Sequence, residues 1–212
     1  MTDSSDEDLF QSIRDLTGKD PLLPGREEDI WKRFGKKCAI MVLDTSGFTV
    51  NTRETGIINY LSCIIRLRDI ISPVLLRHGC TSMRFHSDDV FAEFPGADDA
   101  LAAARDVHRT VSSSGIEVRS GCGLGVCAGI GYGDVLCSLS EGVFGDQMNM
   151  ASKLGEDLAE ENEILLTQEA YQAISKESQG GFTRRRASMS GVEFSYYLTR
   201  VDGKPGSSGY AL

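Results

Sequence analysis

The chain has 212 residues, 41% of them hydrophobic and 25% charged, enough for one globular domain with a sizeable core and a short extra segment. Its 31 acidic and 22 basic residues leave a net charge of −9, which argues against nucleic acid as a partner, since a phosphate backbone repels such a surface outside a local basic patch. No apolar run approaches the ~20 residues of a membrane span and the polar start MTDSSDEDLF does not read as a signal peptide, so a cytoplasmic location is expected.

The patch that the charge argument leaves open is Arg184 to Arg186. Cysteines 38, 63, 80, 122, 127 and 137 lie in apolar or strand-like surroundings without C-x-x-C pairs, and read as reduced, mostly buried residues. Histidines 78, 86 and 108 are too widely separated for a zinc constellation.

Residues 1–37 read as an N-terminal arm. DLFQSIRDL is a short amphipathic helix, GKDPLLPG a linker, and REEDIWKRF a second helix that rests Ile30, Trp31 and Phe34 on the domain or on a partner. The domain proper is expected over 38–202, with 203–212 as a flexible tail.

The stretch Cys38 to Thr49, CAIMVLDTSGFT, opens with an apolar run that predicts a strand buried on both faces, with Asp44 at its C-terminal end. Thr45, Ser46 and Gly47 then form a tight polar turn, and Phe48 returns to the interior. The N–H groups of 45–49 are thereby expected to face outward beside the carboxylate, as a cation with a polyphosphate requires. On these residues alone, a strand-ending carboxylate that caps the next turn is the favoured reading.

Glu54 to His78 places Ile57, Ile58, Leu61, Ile64, Ile65, Ile71, Val74 and Leu75 at helical spacing, predicting one long helix with a kink at Pro73. Thr81 to Phe94 alternates as a β-hairpin around Ser87, Asp88 and Asp89, the last read as a solvated turn residue. Ala97 to Ser113 is an Ala-rich helix with two acids in its first turn. Gly121 to Cys137, with G-I-G-Y-G in its middle, reads as a strand, a turn and another strand. There follow a helix from Asp146 to Leu158, a strand at Ile164 to Leu166, a short helix to Ser175, and strands near Phe182 to Ala187 and Val192 to Val201. The order is that of an α+β, ferredoxin-like βαββαβ unit, an antiparallel sheet with both helices on one face and extra C-terminal strands. In that topology Asp44 and Asp88 meet at one sheet end, which suits two divalent cations bridging a triphosphate.

Four segments in one order carry a family resemblance: D-x-x-G-F-T at Asp44 to Thr49, S-D at Ser87 and Asp88, F-G-x-x-x-N-x-A-S-K from Phe144 to Lys153, and E-I-L-L-T from Glu163 to Thr167. Together they resemble the catalytic domain of class III adenylate and guanylate cyclases, from about Cys38 to about Val201. The resemblance implies that Asp44 and Asp88 hold two Mg2+ or Mn2+ ions. It also implies that Asn149 and Lys153 orient the ribose and stabilise the transition state across a homodimer interface, and that Arg84 reads the purine of a nucleoside triphosphate.

The sequence departs from the family pattern at Lys153, where an arginine is usual and a point charge replaces a fork. It departs also at Gly142, which has no side chain to read a base, and at Cys127, where an arginine is expected on the triphosphate. No lysine precedes G-V-E-F at 191–194 either, and Arg184, Arg185 or Arg186, on the preceding strand, are candidates to replace both missing basic residues. R-R-A-S at 185–188 resembles a basophilic kinase site, and three arginines at a strand end also read as a solvated face. Two functions stay open: an active purine nucleotide cyclase, and a cyclase-like module that binds a nucleotide or partner without turnover. A diguanylate cyclase is disfavoured by the missing G-G-[DE]-E-F signature.

Overall fold

The structure, a computed structural model, describes residues 8–17, 25–46, 48–119, 122–138, 140–189 and 191–201. Two short helices, α1 (Leu9–Thr17) and α2 (Arg26–Phe34), precede the central strand β1 (Gly35–Thr45). Leu9 and Ile30 are buried, and Phe10 meets Phe144 edge to face at 5.3 Å, so the arm is docked through apolar contacts. Trp31, expected on the docking face with Ile30 and Phe34, is instead exposed. The linker GKDPLLPG lies almost wholly outside the described residues, as does the tail.

Cys38 to Leu43 are all at most 2% exposed, because β1 is covered on both faces as its continuous apolar run predicts. After it come α3 (Phe48–Thr55) and α4 (Ile57–Arg77). The single kinked helix expected here is divided at Gly56 (φ 84°), a left-handed conformation that glycine adopts without strain, while α4 runs uninterrupted through Pro73. The buried face of α4 is Tyr60, Cys63, Ile64, Leu67, Ile71, Val74 and Leu75, at intervals of three and four. Ile57, Ile58, Leu61 and Ile65, expected to pack inward, lie on the other side and are exposed.

The hairpin β2 (Ser82–His86) and β3 (Asp89–Phe94) and the helix α5 (Ala97–Ser113) match expectation. A two-stranded ribbon, β4 (Glu117–Arg119) with β5 (Cys122–Gly123), was not anticipated. The next strand, β6 (Val126–Ser138), runs straight through G-I-G-Y-G where a turn was expected. Its glycines instead admit a helix. A Cβ at Gly129 would stand 2.2 Å from the Ala151 carbonyl oxygen, and one at Gly131 2.3 Å from that of Gln147.

That helix, α6 (Asp146–Ser152), follows the short β7 (Gly142–Phe144) and passes into a π-helical turn over Lys153–Leu158, closed by Ala159 N–H donating to Leu154 O at 2.8 Å. The single helix expected from Asp146 to Leu158 is thus widened in its second half, where Gly155 lies against Val42 and Gly129 of the sheet. The chain ends in β8 (Glu163–Thr167), α7 (Gln168–Ala173), β9 (Thr183–Met189) and β10 (Val192–Arg200).

The eight-stranded sheet has the order β2-β3-β1-β6-β8-β10-β9, with β7 paired to β6. Its first four strands are the βαββαβ core, and β1 lies between β3 and β6, antiparallel to both. The sheet is not wholly antiparallel, because β6 and β8 run parallel. Alternation along β1 directs Ala39, Met41 and Leu43 to the core with α4 and α5, and Cys38, Ile40 and Val42 to the core with Ala151 of α6.

Because α6 packs on bare backbone at Gly129, Gly129→Ala is expected to destabilise the fold by about 1–3 kcal/mol, the usual penalty of forcing an extra methyl into a packed core. Gly123→Ala, whose Cβ would have no neighbour nearer than 3.8 Å, should change it by less than ~0.5 kcal/mol. Urea unfolding of the two variants beside the unmodified chain measures the difference.

Candidate active site

Antiparallel pairing of Leu43 with Val90 leaves Asp44 and Asp89 as the next step at the open end of β1 and β3. Asp88 sits beside them in the tight β2–β3 turn, whose Ser87 has the left-handed φ of 53°. One carboxylate oxygen from each of Asp44, Asp88 and Asp89 lies within 4.8 Å of the others. The topology thus brings the two expected aspartates together, and it adds Asp89, expected as a solvated turn residue. The sequence signal for Asp89 was its place as first residue of β3, directly across from Asp44.

These are three like charges in a half-buried position. Burial, then the neighbouring Asp89 and Asp88, pushes the Asp44 carboxyl up to about 7. Burial and Asp88 raise Asp89 as well. Glu156, in the π-helical turn, is raised by burial and by Asp89, so it stands near the same field. All donors in the cluster are hard carboxylate oxygens, the set that suits Mg2+ or Mn2+.

The turn after Asp44 differs from expectation. Thr45 N–H donates to Asp44 Oδ1 at 2.6 Å and Ser46 N–H to Gly125 O at 3.2 Å, so these two amides are engaged within the chain. Gly47 and the side chains of Phe48 and Thr49 lie outside the described residues. The backbone of α3 begins at Phe48, and the first turn of an α-helix leaves its N–H groups without intrahelical partners.

The side chain of Thr45 alternates to the α4 side of the sheet. Its Oγ1 lies 2.8 Å from Asp88 Oδ2 and 2.6 Å from the hydroxyl of the fully buried Tyr60. Burial raises the Tyr60 hydroxyl above its ordinary range and keeps it protonated. Sequence reasoning missed Tyr60; the available signal was a tyrosine on the inner face of an apolar helix, where the O–H requires a partner.

Asn149 and Lys153 occupy the end of α6 and the start of the π-helical turn, one turn apart and on one face. Ala151, two residues from each, faces the sheet, so Asn149 and Lys153 project away from it. Asn149 is exposed, and among the described residues neither side chain has a hydrogen bond or ion pair within the chain.

Arg84 donates from Nη2 to Ser138 O at 2.8 Å and lies beside Gly142, where a Cβ would stand 3.2 Å from Nη1. The two positions expected to read the base are therefore neighbours. Cys127 is buried, its thiol pushed up to about 12 chiefly by burial, and it donates only to backbone oxygens of Gly155 and Asp44. Arg184, Arg185 and Arg186 are exposed on β9, four strand steps from β1, about 19 Å at ~4.8 Å per step. On their own chain they stand at the far edge of the sheet, apart from the aspartates.

No protein-family model and no curated protein sequence matches the chain. Solved structures do. An adenylate/guanylate cyclase/hydrolase from Silicibacter pomeroyi is 22% identical, with 79% of this chain and 98% of that one covered and a TM-score of 0.65. The dimeric guanylyl cyclase domain of the RhoGC fusion protein from the aquatic fungus Blastocladiella emersonii is 17% identical over 78% of this chain and 97% of that one, with a TM-score of 0.64. A guanylate cyclase domain from Catenaria anguillulae, solved with GTP, is 18% identical over 79% and 98%, with a TM-score of 0.62. The chain has the fold of adenylate/guanylate cyclase catalytic domains, as its ordered motifs led one to expect.

Proposed function

We propose that the chain is a nucleotide cyclase converting a purine nucleoside triphosphate, ATP or GTP, to its 3′,5′-cyclic monophosphate and pyrophosphate at a homodimer interface. The observation that carries this is the convergence of Asp44, Asp88 and Asp89 within 4.8 Å at a sheet end of a fold shared with cyclase catalytic domains. Asp44 and Asp88, with Asp89 beside them, would hold two Mg2+ or Mn2+ ions per site. Such cations, when bound, supply positive charge to the phosphate oxygens.

In the reaction the 3′-oxygen forms a bond to the α-phosphorus, the bond from that phosphorus to the bridging oxygen of the pyrophosphate breaks, and the hydroxyl proton passes to solvent. The chain's own part is to hold and neutralise. The open first turn of α3, with Phe48 and Thr49, would offer N–H donors to the phosphates, with Thr45, Ser46 and Gly47 shaping the approach. Arg84, beside Gly142, would donate to the base. Asn149 would fix the ribose and Lys153 offset charge at the α-phosphate. The outward projection of these last two supports contact with a second copy. No helix among the described residues is long and apolar enough to cross a membrane, and a cytoplasmic setting goes with the proposal.

A second reading, a nucleotide- or partner-binding module without turnover, is favoured by Cys127. Its burial and its two backbone contacts leave no cation at a position where the family has an arginine.

Incubation of the purified protein with Mn2+ or Mg2+ and each of ATP, GTP, CTP and UTP, with products read by mass spectrometry, separates the readings. A cyclic purine nucleotide that disappears in Asp44→Ala is the expected result, and metal-dependent nucleotide binding without product establishes the module. Mixing Asp44→Ala with Asn149→Ala chains should restore activity in the heterodimer, since each supplies what the other lacks. For Lys153, replacement by Ala should lower kcat about 10²–10³-fold with little change in KM, and Lys153→Arg should raise it. Equal turnover in all three versions would make Lys153 a solvated helix residue.

A further inference from the structure

The buried hydroxyls behind Asp88 form a directed chain. Thr45 Oγ1–H donates to Asp88 Oδ2 at 2.8 Å. Having spent its one proton there, Thr45 Oγ1 can meet the Tyr60 hydroxyl, 2.6 Å away, only as acceptor. The order is Tyr60 O–H to Thr45 O–H to Asp88. The Tyr60 oxygen stands 3.5 Å from Asp88 Oδ2, a longer secondary contact. Tyr60 is fully buried and Thr45 is 3% exposed, so water does not compete for either group.

The same helix holds the turn a second time. Arg68, eight residues beyond Tyr60 on α4, donates from Nη2 to the carbonyl of Ser87, the left-handed residue just before Asp88. Its guanidinium also lies 4.9 Å over the Phe85 ring. One helix, packed on the sheet by its inner face, thus holds both the backbone before Asp88 and one of its carboxylate oxygens.

From this we infer that Tyr60, acting through Thr45, is a positioning residue for Asp88. It selects the oxygen and rotamer that Asp88 presents to a divalent cation. The inference rests on the metal reading of Asp44 and Asp88 given above. It does not follow from that reading, since any acceptor satisfies a buried tyrosine, and here a partner is the hydroxyl that also orients the ligand. Partners of metal-ligating carboxylates typically govern affinity by 10–100-fold.

The test is Mn2+ titration of the full chain, followed by the electron paramagnetic resonance signal of free Mn2+, with urea unfolding in EDTA measured in parallel. Tyr60→Phe keeps the ring and removes the hydroxyl, and should weaken Mn2+ binding about 10-fold or more. Thr45→Val should do the same and Thr45→Ser, which keeps the hydroxyl, should bind as the unmodified chain does. A merely structural role would lower the unfolding midpoint without this pattern in Mn2+ affinity. Tyr60→Phe and Thr45→Val binding within twofold of the unmodified chain, or Thr45→Ser binding as weakly as Thr45→Val, would overturn the inference while leaving the metal reading intact. An unmodified chain that fails to bind Mn2+ would overturn the metal reading, and this inference with it.

Discussion

The site depends on how β1 ends. The strand is sealed on both faces through Leu43, and its two-residue alternation then sends Asp44 to the side of α6 and Thr45 to the side of α4. Pairing with β3 carries Asp89 to the same end, because Leu43 opposite Val90 leaves no other register. Carboxylates held this close at the rim of an apolar core repel one another and lose solvation, and the high value reached by Asp44 expresses both effects. Such an arrangement persists because backbone pairing and helix packing over-determine it. A cation would relieve the repulsion without moving the strands.

The opposite face is organised by absence of side chains. Gly129 and Gly131 on β6 let the backbone of α6 approach the sheet closely, and Gly155 lets the following π-helical turn lie on Val42. The helix is thereby fixed in rotation. Ala151 and Leu154 face inward, and Asn149 and Lys153, on the outer face, are presented as a pair. A residue larger than glycine on this face of β6 would lift the helix and turn that pair away together.

Much of this was legible in the residues. The both-face burial of Cys38 to Leu43, the hairpin carrying Asp88, the bounds of α5 and the meeting of β1 with β3 all follow from apolar periodicity and a short list of topologies. What was not legible came from contacts distant in sequence. G-I-G-Y-G is consistent with a turn as well as with a strand until α6 is laid on it. The outward stripe of Ile57, Ile58, Leu61 and Ile65 shares helical spacing with the inner face and differs only in phase, which Gly56 resets. Tyr60 and Asp89 acquire roles only when α4 and β3 are docked on β1, and the engaged amides of Thr45 and Ser46 depend on the rotamer of Asp44 and on Gly125.

The distribution of charge ties these pieces to the choice between turnover and binding. The end of β1 offers Asp44, Asp88, Asp89 and nearby Glu156, while Cys127 adjoining it supplies no cation and the arginines of β9 stand four strands away. A triphosphate approaching this end of a single chain meets net negative charge, and bound divalent cations alone would have to reverse it. Lys153 points away from the sheet and Arg84 is engaged with the β6–β7 hairpin through Ser138. On the proposed reading a second copy brings its outward Lys153 and its Arg84 over the aspartates, so that two acidic ends and two basic faces complete each other. Each chain then holds half of two sites. The net charge of −9 opposes such an approach at long range, and the short-range complementarity of the two faces has to exceed that repulsion within about a Debye length, ~8 Å at physiological salt.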